Sequence, residues 1–267
     1  MLTNRLVACF DVKDGRVTKA LQFQDNIDVG DPAELSKRLY EEQIDEIVFY
    51  DIMASAEKRR INLDTVKEVA SNIFVPLTVG GGIKNLDDMH AVLESGAEKI
   101  SIDSMAVRNP DIITQGANEF GVQCMVVSLQ AQWVGESAQI PSGYEIAIDG
   151  ARTFTGMDAV EWAKRANDLG AGEIVVNSID RDGTGEGYEL RLTGAVADAV
   201  RVPVIASGGA GTAQHVADGF NAGATAAIIS SMLYSPRTKR NYSVPQLKQE
   251  LTALGANIRP SVGLPIR

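Results

Sequence analysis

The feature that most constrains this chain is that much of it is written twice. Val75-Pro76-Leu77-Thr78-Val79-Gly80-Gly81-Gly82-Ile83-Lys84 has a counterpart in Val202-Pro203-Val204-Ile205-Ala206-Ser207-Gly208-Gly209-Ala210-Gly211. Pro76 and Pro203 stand 127 residues apart, and the same offset pairs Gly81 with Gly208 and Gly82 with Gly209. It also pairs Gly96-Ala97 with Gly223-Ala224, Ser104-Met105 with Ser231-Met232, Lys37-Arg38 with Lys164-Arg165, and Glu46-Ile47-Val48 with Glu173-Ile174-Val175. An offset held through several elements decides architecture before any local reading does. The chain is expected to be two related halves, about 1–121 and 122–258, forming one domain, with residues 259–267 as a loose tail.

Each repeated stretch is a short apolar strand that breaks into glycines and then opens a helix. That order suits an anion, because a backbone without Cβ atoms can approach it closely and the free N–H groups of a helix start point at it. One glycine run serves an ordinary turn as well. Two at matched positions predict one phosphate cradle in each half.

The remaining chain alternates strand and helix. Strands are expected at Leu6–Asp11, Glu46–Asp51, up to Val79, at Lys99–Asp103, at Cys124–Leu129 with Gln130 at its end, at Glu173–Ser178, up to Ala206, and after Ala224. Their continuous apolar runs are what a parallel sheet covered on both faces requires. Helices are expected from Asp31-Pro32 to Glu42, over Ile61–Asn72, after Asn85, after Asn109-Pro110, over Met157–Leu169 and Arg191–Val200, up to Ala222, and over Val244–Ala253. Val12–Gly30 is expected as a long loop, and Ala131–Thr155 as an irregular stretch able to form a hairpin over the strand ends. Eight strands alternating with eight helices imply an α/β fold, a closed (β/α)8 barrel, whose sites lie at the C-terminal ends of the strands. A doubly wound open sheet is the weaker alternative, since two superposable four-strand halves close naturally. Asp11, Asp51, Asp103, Gln130, Asp180 and Asp182 all fall at or just after strand ends.

A net charge of −10 argues against a nucleic-acid partner, whose binders carry a basic face. No apolar run reaches the length of a membrane span. Cys9 and Cys124 sit in apolar runs and read as buried, reduced thiols of a cytoplasmic protein, and His90 and His215 have no neighbours at ligand spacing, so neither metal nor cofactor is expected. The economical ligand is an elongated molecule with a phosphate at each end, its reactive centre held over the barrel axis.

Cys9-Phe10-Asp11-Val12-Lys13-Asp14-Gly15-Arg16-Val17, Val79-Gly80-Gly81-Gly82-Ile83-Lys84, Gly170-Ala171-Gly172-Glu173-Ile174, Asp180-Arg181-Asp182-Gly183-Thr184 and Ile205-Ala206-Ser207-Gly208-Gly209-Ala210-Gly211 together resemble the HisF family, the cyclase subunits of imidazole glycerol phosphate synthase in histidine biosynthesis. The resemblance runs from Met1 to about Arg259. It implies an ammonia-dependent cyclase that works with a glutaminase partner of the HisH type, docked at the N-terminal face of the barrel. Its substrate would be a bis-phosphorylated ribulosyl-formimino aminoimidazole carboxamide ribonucleotide. Its products would be imidazole glycerol phosphate and an aminoimidazole carboxamide ribonucleotide.

Carried over position by position, the resemblance makes Asp11 the principal catalytic carboxylate and Lys19 a mobile-loop lysine that helps hold substrate. It gives Gly81, Gly82, Asp103 and Ser104 to one phosphate site, and Asp182, Gly183, Gly208, Gly209, Ser230 and Ser231 to the other. It makes Arg5, Glu46, Lys99 and Glu173 a charged ring that gates ammonia, against the alternative of a salt-bridge network that only stabilises the barrel. The chain departs from the family at two of these positions, having Gln130 in place of a second catalytic aspartate and Asp103 in place of an asparagine. Two further readings follow: a HisF-like paralogue with another phosphorylated acceptor or weakened cyclase activity, and a non-catalytic partner that docks a glutaminase.

Overall fold

The computed structural model describes residues 2–21, 24–54, 57, 59–235 and 241–261. Eight parallel strands form the barrel: β1 (Arg5–Lys13), β2 (Glu46–Asp51), β3 (Leu77–Gly80), β4 (Lys99–Ile102), β5 (Met125–Trp133), β6 (Glu173–Ser178), β7 (Val204–Ser207) and β8 (Ala226–Ile228). Each pairs with the next, and the sheet closes where Arg5, Leu6 and Val7 of β1 pair with Ala226, Ala227 and Ile228 of β8. Eight helices cover the outside: α1 (Pro32–Glu41), α2 (Leu63–Ser71), α3 (Leu86–Glu94), α4 (Asp111–Phe120), α5 (Ala159–Leu169), α6 (Leu190–Ala199), α7 (Ala213–Asn221) and α8 (Val244–Ala253). The (β/α)8 barrel expected from the sequence is the fold.

The 127-residue offset carries through to local chemistry. It maps β2 onto β6, β3 onto β7 and α3 onto α7 at identical bounds. Asp31 caps α1 by accepting from the N–H groups of Ala33 and Glu34, and Asp158 caps α5 by accepting from Val160 and Glu161. Such a cap satisfies donors that the first helical turn leaves without partners.

Apolar side chains pack in two places. The larger cluster lies between strands and helices and includes Leu6, Phe10, Phe49, Leu77, Met89 and Ile100. A smaller one fills the bore, from Val7, Cys9, Val48, Val126, Val175, Ile205, Ala226 and Ile228. Because successive strand residues point to opposite faces, this second set fixes the inward parity of β1, β2, β5, β6, β7 and β8, and the contacts of Thr78 and Lys99 with Glu46 fix that of β3 and β4. Asp11, Glu46, Tyr50, Lys99, Ser101, Ser128, Gln130, Glu173, Asn177 and Ser207 share that parity.

The structure differs from the sequence expectations in several places. Val12–Gly30 is not a loop: Arg16–Leu21 and Gln24–Gly30 are antiparallel strands continuing from β1. Asp14 and Gly15 both have positive φ, 51° and 74°, giving a two-residue turn between Lys13 and Arg16. The other half has the same device, since β5 runs past Gln130 to Trp133 and pairs with Tyr144–Ile148, which pairs with Thr153–Asp158. That last strand moves the start of α5 from Met157 to Ala159. Cys9 is buried, but Cys124 is only half-buried, in a single turn (Val122–Cys124) before β5. Of the expected tail, 262–267 lies outside the described residues, while Arg259 is tied to Asp45 at 3.0 Å and Ile258 bridges to Asn4. No described helix is long and apolar enough to cross a membrane.

The glycine runs are required by backbone contact. At Gly81, with φ +97°, a Cβ would lie 2.3 Å from the Asp51 carbonyl oxygen; at Gly208, with φ +85°, it would lie 2.8 Å from that of Ser178. Asp51 and Ser178 are themselves repeat partners. Gly81→Ala and Gly208→Ala are therefore expected each to lower stability by at least about 1–3 kcal/mol, the cost of a strained backbone position, with Gly81→Ala the worse of the two. Urea midpoints equal to that of the parent would contradict this.

Candidate functional site

A cavity opens at the C-terminal ends of the strands. Its wall holds every residue expected for catalysis and phosphate binding: Asp11, Lys19, Gly81, Gly82, Asp103, Ser104, Gln130, Asp182, Gly183, Gly208, Gly209, Ser230 and Ser231. It also holds Tyr50, Ser101, Ser128, Asn177, Ser207, Asp149 and Arg152, which sequence reasoning missed. For Ser128 the signal was inward parity, two residues before Gln130 on the same strand; Tyr50, Ser101, Asn177 and Ser207 lie at the ends of other barrel strands. Asp149 and Arg152 come from the hairpin after β5, where no such count applies.

Asp11 stands at the end of the inward face of β1. Lys19 lies on the strand Arg16–Leu21 rather than on a loop, and its ammonium sits 2.9 Å from Asp11 Oδ2. Burial alone would lower the pKa of Lys19, but the negative charges of Asp11 and Asp182 outweigh it and hold the pKa well above the usual lysine value. Lys19 is therefore a fixed cation in the floor of the site. Burial pushes the Asp182 carboxyl up; Lys19 opposes that shift and Asp11 adds to it. Cys9, one inward position below Asp11, has its thiol raised by burial and by Asp11, and remains an uncharged neighbour.

The two cradles flank this pair. In the first, Gly81 and Gly82 lead to Asn85, whose side chain caps α3 by accepting from Asp88 N. In the second, Gly208 and Gly209 lead to Thr212, which caps α7 by accepting from His215 N. Gly209 has φ +107°, and a Cβ there would lie 2.2 Å from Gly187 O. Two further short helices, Ser104–Arg108 and Ser230–Tyr234, begin beside the cradles after β4 and β8. The Ser104 oxygen accepts from Asp149 N at 2.9 Å and the Ser230 oxygen from Cys9 N at 2.8 Å, so both hydroxyls also tie their helices to neighbouring backbone.

The other strand-end carboxylates do different work. Asp51 is paired with Arg59 at 2.6 Å and accepts from the N–H groups of Met53 and Ala54, which organises the loop after β2. Asp180 accepts from Trp133 N at 2.8 Å and fastens the extended end of β5. Tyr50 donates to or accepts from Ser101 Oγ at 3.0 Å across the bore, and burial raises its phenol far above the usual range.

At the opposite end of the bore the four expected ring residues meet. Arg5 contacts Glu46 at 2.7 Å and Glu173 at 2.8 Å; Lys99 contacts Glu46 at 2.9 Å and Glu173 at 3.0 Å. Thr78 adds a hydrogen bond to Glu46 at 3.0 Å. The charges alternate around a closed ring, which satisfies a glutamate only 1% exposed. Between this ring and Asp11 lies the apolar filling of the bore.

Comparison with known proteins identifies the chain's relatives. A family model described as "Histidine biosynthesis protein" matches residues 5–239. The chain is 54% identical to the imidazole glycerol phosphate synthase subunit HisF of Nitratidesulfovibrio vulgaris, over 97% of this chain and 99% of that protein. It is 54% identical to the HisF subunit of Syntrophobacter fumaroxidans and 53% identical to that of Oleidesulfovibrio alaskensis, with the same coverage. The chain belongs to the histidine biosynthesis protein family, alongside its HisF subunits.

Proposed function

We propose that this chain is the cyclase subunit of an imidazole glycerol phosphate synthase. It takes ammonia and a bis-phosphorylated ribulosyl-formimino aminoimidazole carboxamide ribonucleotide, and it releases imidazole glycerol phosphate and the aminoimidazole carboxamide ribonucleotide. The observation that carries this reading is the placing of the Asp11–Lys19 pair in one cavity with two glycine cradles. A substrate with a phosphate at each end can put each on a set of backbone N–H groups, leaving its reactive centre over Asp11. The backbone donors and Lys19 supply the local positive field that a chain of net charge −10 does not supply as a whole. Asp11 is the proton-transfer carboxylate, and the 2.9 Å contact with Lys19 holds it in place.

Ammonia enters from the other end. Four exposed apolar side chains, Leu2, Phe74, Val122 and Leu254, lie at the N-terminal face: three precede β1, β3 and β5, and the fourth follows α8. Leu2 and Phe74 are 94% and 85% exposed. Such side chains suit a protein partner, here a glutaminase. The ring of Arg5, Glu46, Lys99 and Glu173 sits between that face and the bore, where it admits a small neutral base and excludes ions. A buried ion-pair ring is a weak device for stability alone, which favours the gate over a purely structural role. A paralogue acting on another phosphorylated acceptor is the second reading, favoured by Gln130 at the family's second aspartate position.

Asp11→Asn is expected to lower ammonium-driven turnover by about 10²–10⁴-fold, the usual worth of a positioned acid or base, with an unchanged urea midpoint. Substantial activity in the folded variant would remove Asp11 from this role. Lys99→Met is expected to lower glutamine-driven turnover in the complex with a glutaminase while ammonium-driven turnover holds. An unchanged ratio of the two rates would assign the ring to stability alone.

A further inference from the structure

Gln130 on β5 and Asp103, at the end of β4, face each other in the cavity wall. Gln130 Nε2 points at Asp103 Oδ2 at 3.4 Å, while Gln130 Oε1 is shut off from solvent with no hydrogen-bond partner among the described residues. A buried acceptor left without a donor is costly, and an ionised carboxylate cannot help it, because it only accepts. A carboxylic acid can: one oxygen accepts from Nε2 and the other donates its O–H to Oε1, closing a cyclic acid–amide pair that satisfies both side chains. We propose that Asp103 is a neutral acid paired with Gln130, and that it is the second proton-carrying group of the site, working with Asp11.

The surroundings agree with a proton on Asp103. Burial pushes its carboxyl above the usual range, and hydrogen bonds from Ser104 pull it part of the way back. Asp149, on the hairpin after β5, adds a like charge that disfavours ionisation. Arg108, the cation that feels Asp103, is committed to Asp149. Tyr50, facing from β2, is uncharged. A neutral acid next to Ser104 and the first glycine cradle also spares a bound phosphate the repulsion of a carboxylate. During turnover the acid passes its proton to a basic atom of the bound substrate. The electron pair of the O–H bond stays on the Asp103 oxygen, and water at the open mouth of the cavity returns a proton.

The catalytic half of this proposal rests on the cyclase reading; the pairing does not, and one set of measurements separates them. In the infrared spectrum of the full chain near neutral pH, a protonated-carboxyl C=O band is expected that disappears in Asp103→Asn and shifts in Gln130→Leu. A spectrum without that band, or with a band that both variants leave untouched, overturns the pairing whatever the activity. With the bis-phosphate and ammonium, Asp103→Asn is expected to lose about 10²–10⁴-fold in turnover. The parent's rate should fall as pH rises through the pKa of Asp103, because only the protonated form donates. A variant as fast as the parent overturns the acid role. A parent that binds the bis-phosphate without turning it over refutes the cyclase reading, and the infrared band then decides the pairing alone.

Discussion

The pairing of β1 with β8 is the constraint on which the rest depends. Three residue pairs, Arg5 with Ala226, Leu6 with Ala227 and Val7 with Ile228, turn an open sheet into a closed one. Once it is closed, every second residue of every strand must point into a bore of fixed width, with no solvent to receive it. Polar groups can then survive only at the two ends or in mutual pairs. The structure follows that rule along its axis: alternating charges at the bottom, apolar side chains in the middle and carboxylates with hydroxyls at the top.

The two ends use charge differently. At the bottom, two cations and two carboxylates cancel within a ring, and each carboxylate meets both cations. At the top, Lys19 shares its charge with Asp11 and Asp182, so acidic groups exceed cations within the site. Burial raises the carboxyls of Asp103 and Asp182, and the like charges of Asp149 and Asp11 respectively add to it. Carboxyl groups that differ in environment within one cavity are the usual basis for dividing acid and base roles. The cradles add backbone N–H groups, which bring positive potential without another side chain.

Much of this was legible in the sequence because duplication and inward parity both leave marks on residue spacing. The 127-residue offset led to the two halves and their glycine runs, the apolar runs led to the strands, and the strand ends led to Asp11, Gln130 and Asp103. The hairpins were not legible in the same way. Arg16–Leu21 and Gln24–Gly30 read as loop because two antiparallel strands beyond a barrel edge need no continuous apolar run, and the Asp14-Gly15 turn that joins them to β1 is only two residues long. Lys19 was therefore placed on a loop when a strand holds it against Asp11. Asp51 and Asp180 showed the converse: both stand where catalytic carboxylates stand, and only the folded chain reveals that Arg59 and the Trp133 amide already use them. The contact between Gln130 and Asp103 could not be read either, since it depends on which way two side chains turn across adjacent strands.

The most direct test of the account is turnover of the purified chain with the bis-phosphorylated ribulosyl-formimino ribonucleotide and excess ammonium, with no glutaminase present. The account predicts conversion to imidazole glycerol phosphate, with Gln130 in place of a carboxylate. Absence of substrate binding would contradict it and assign the two cradles to a different phosphorylated acceptor.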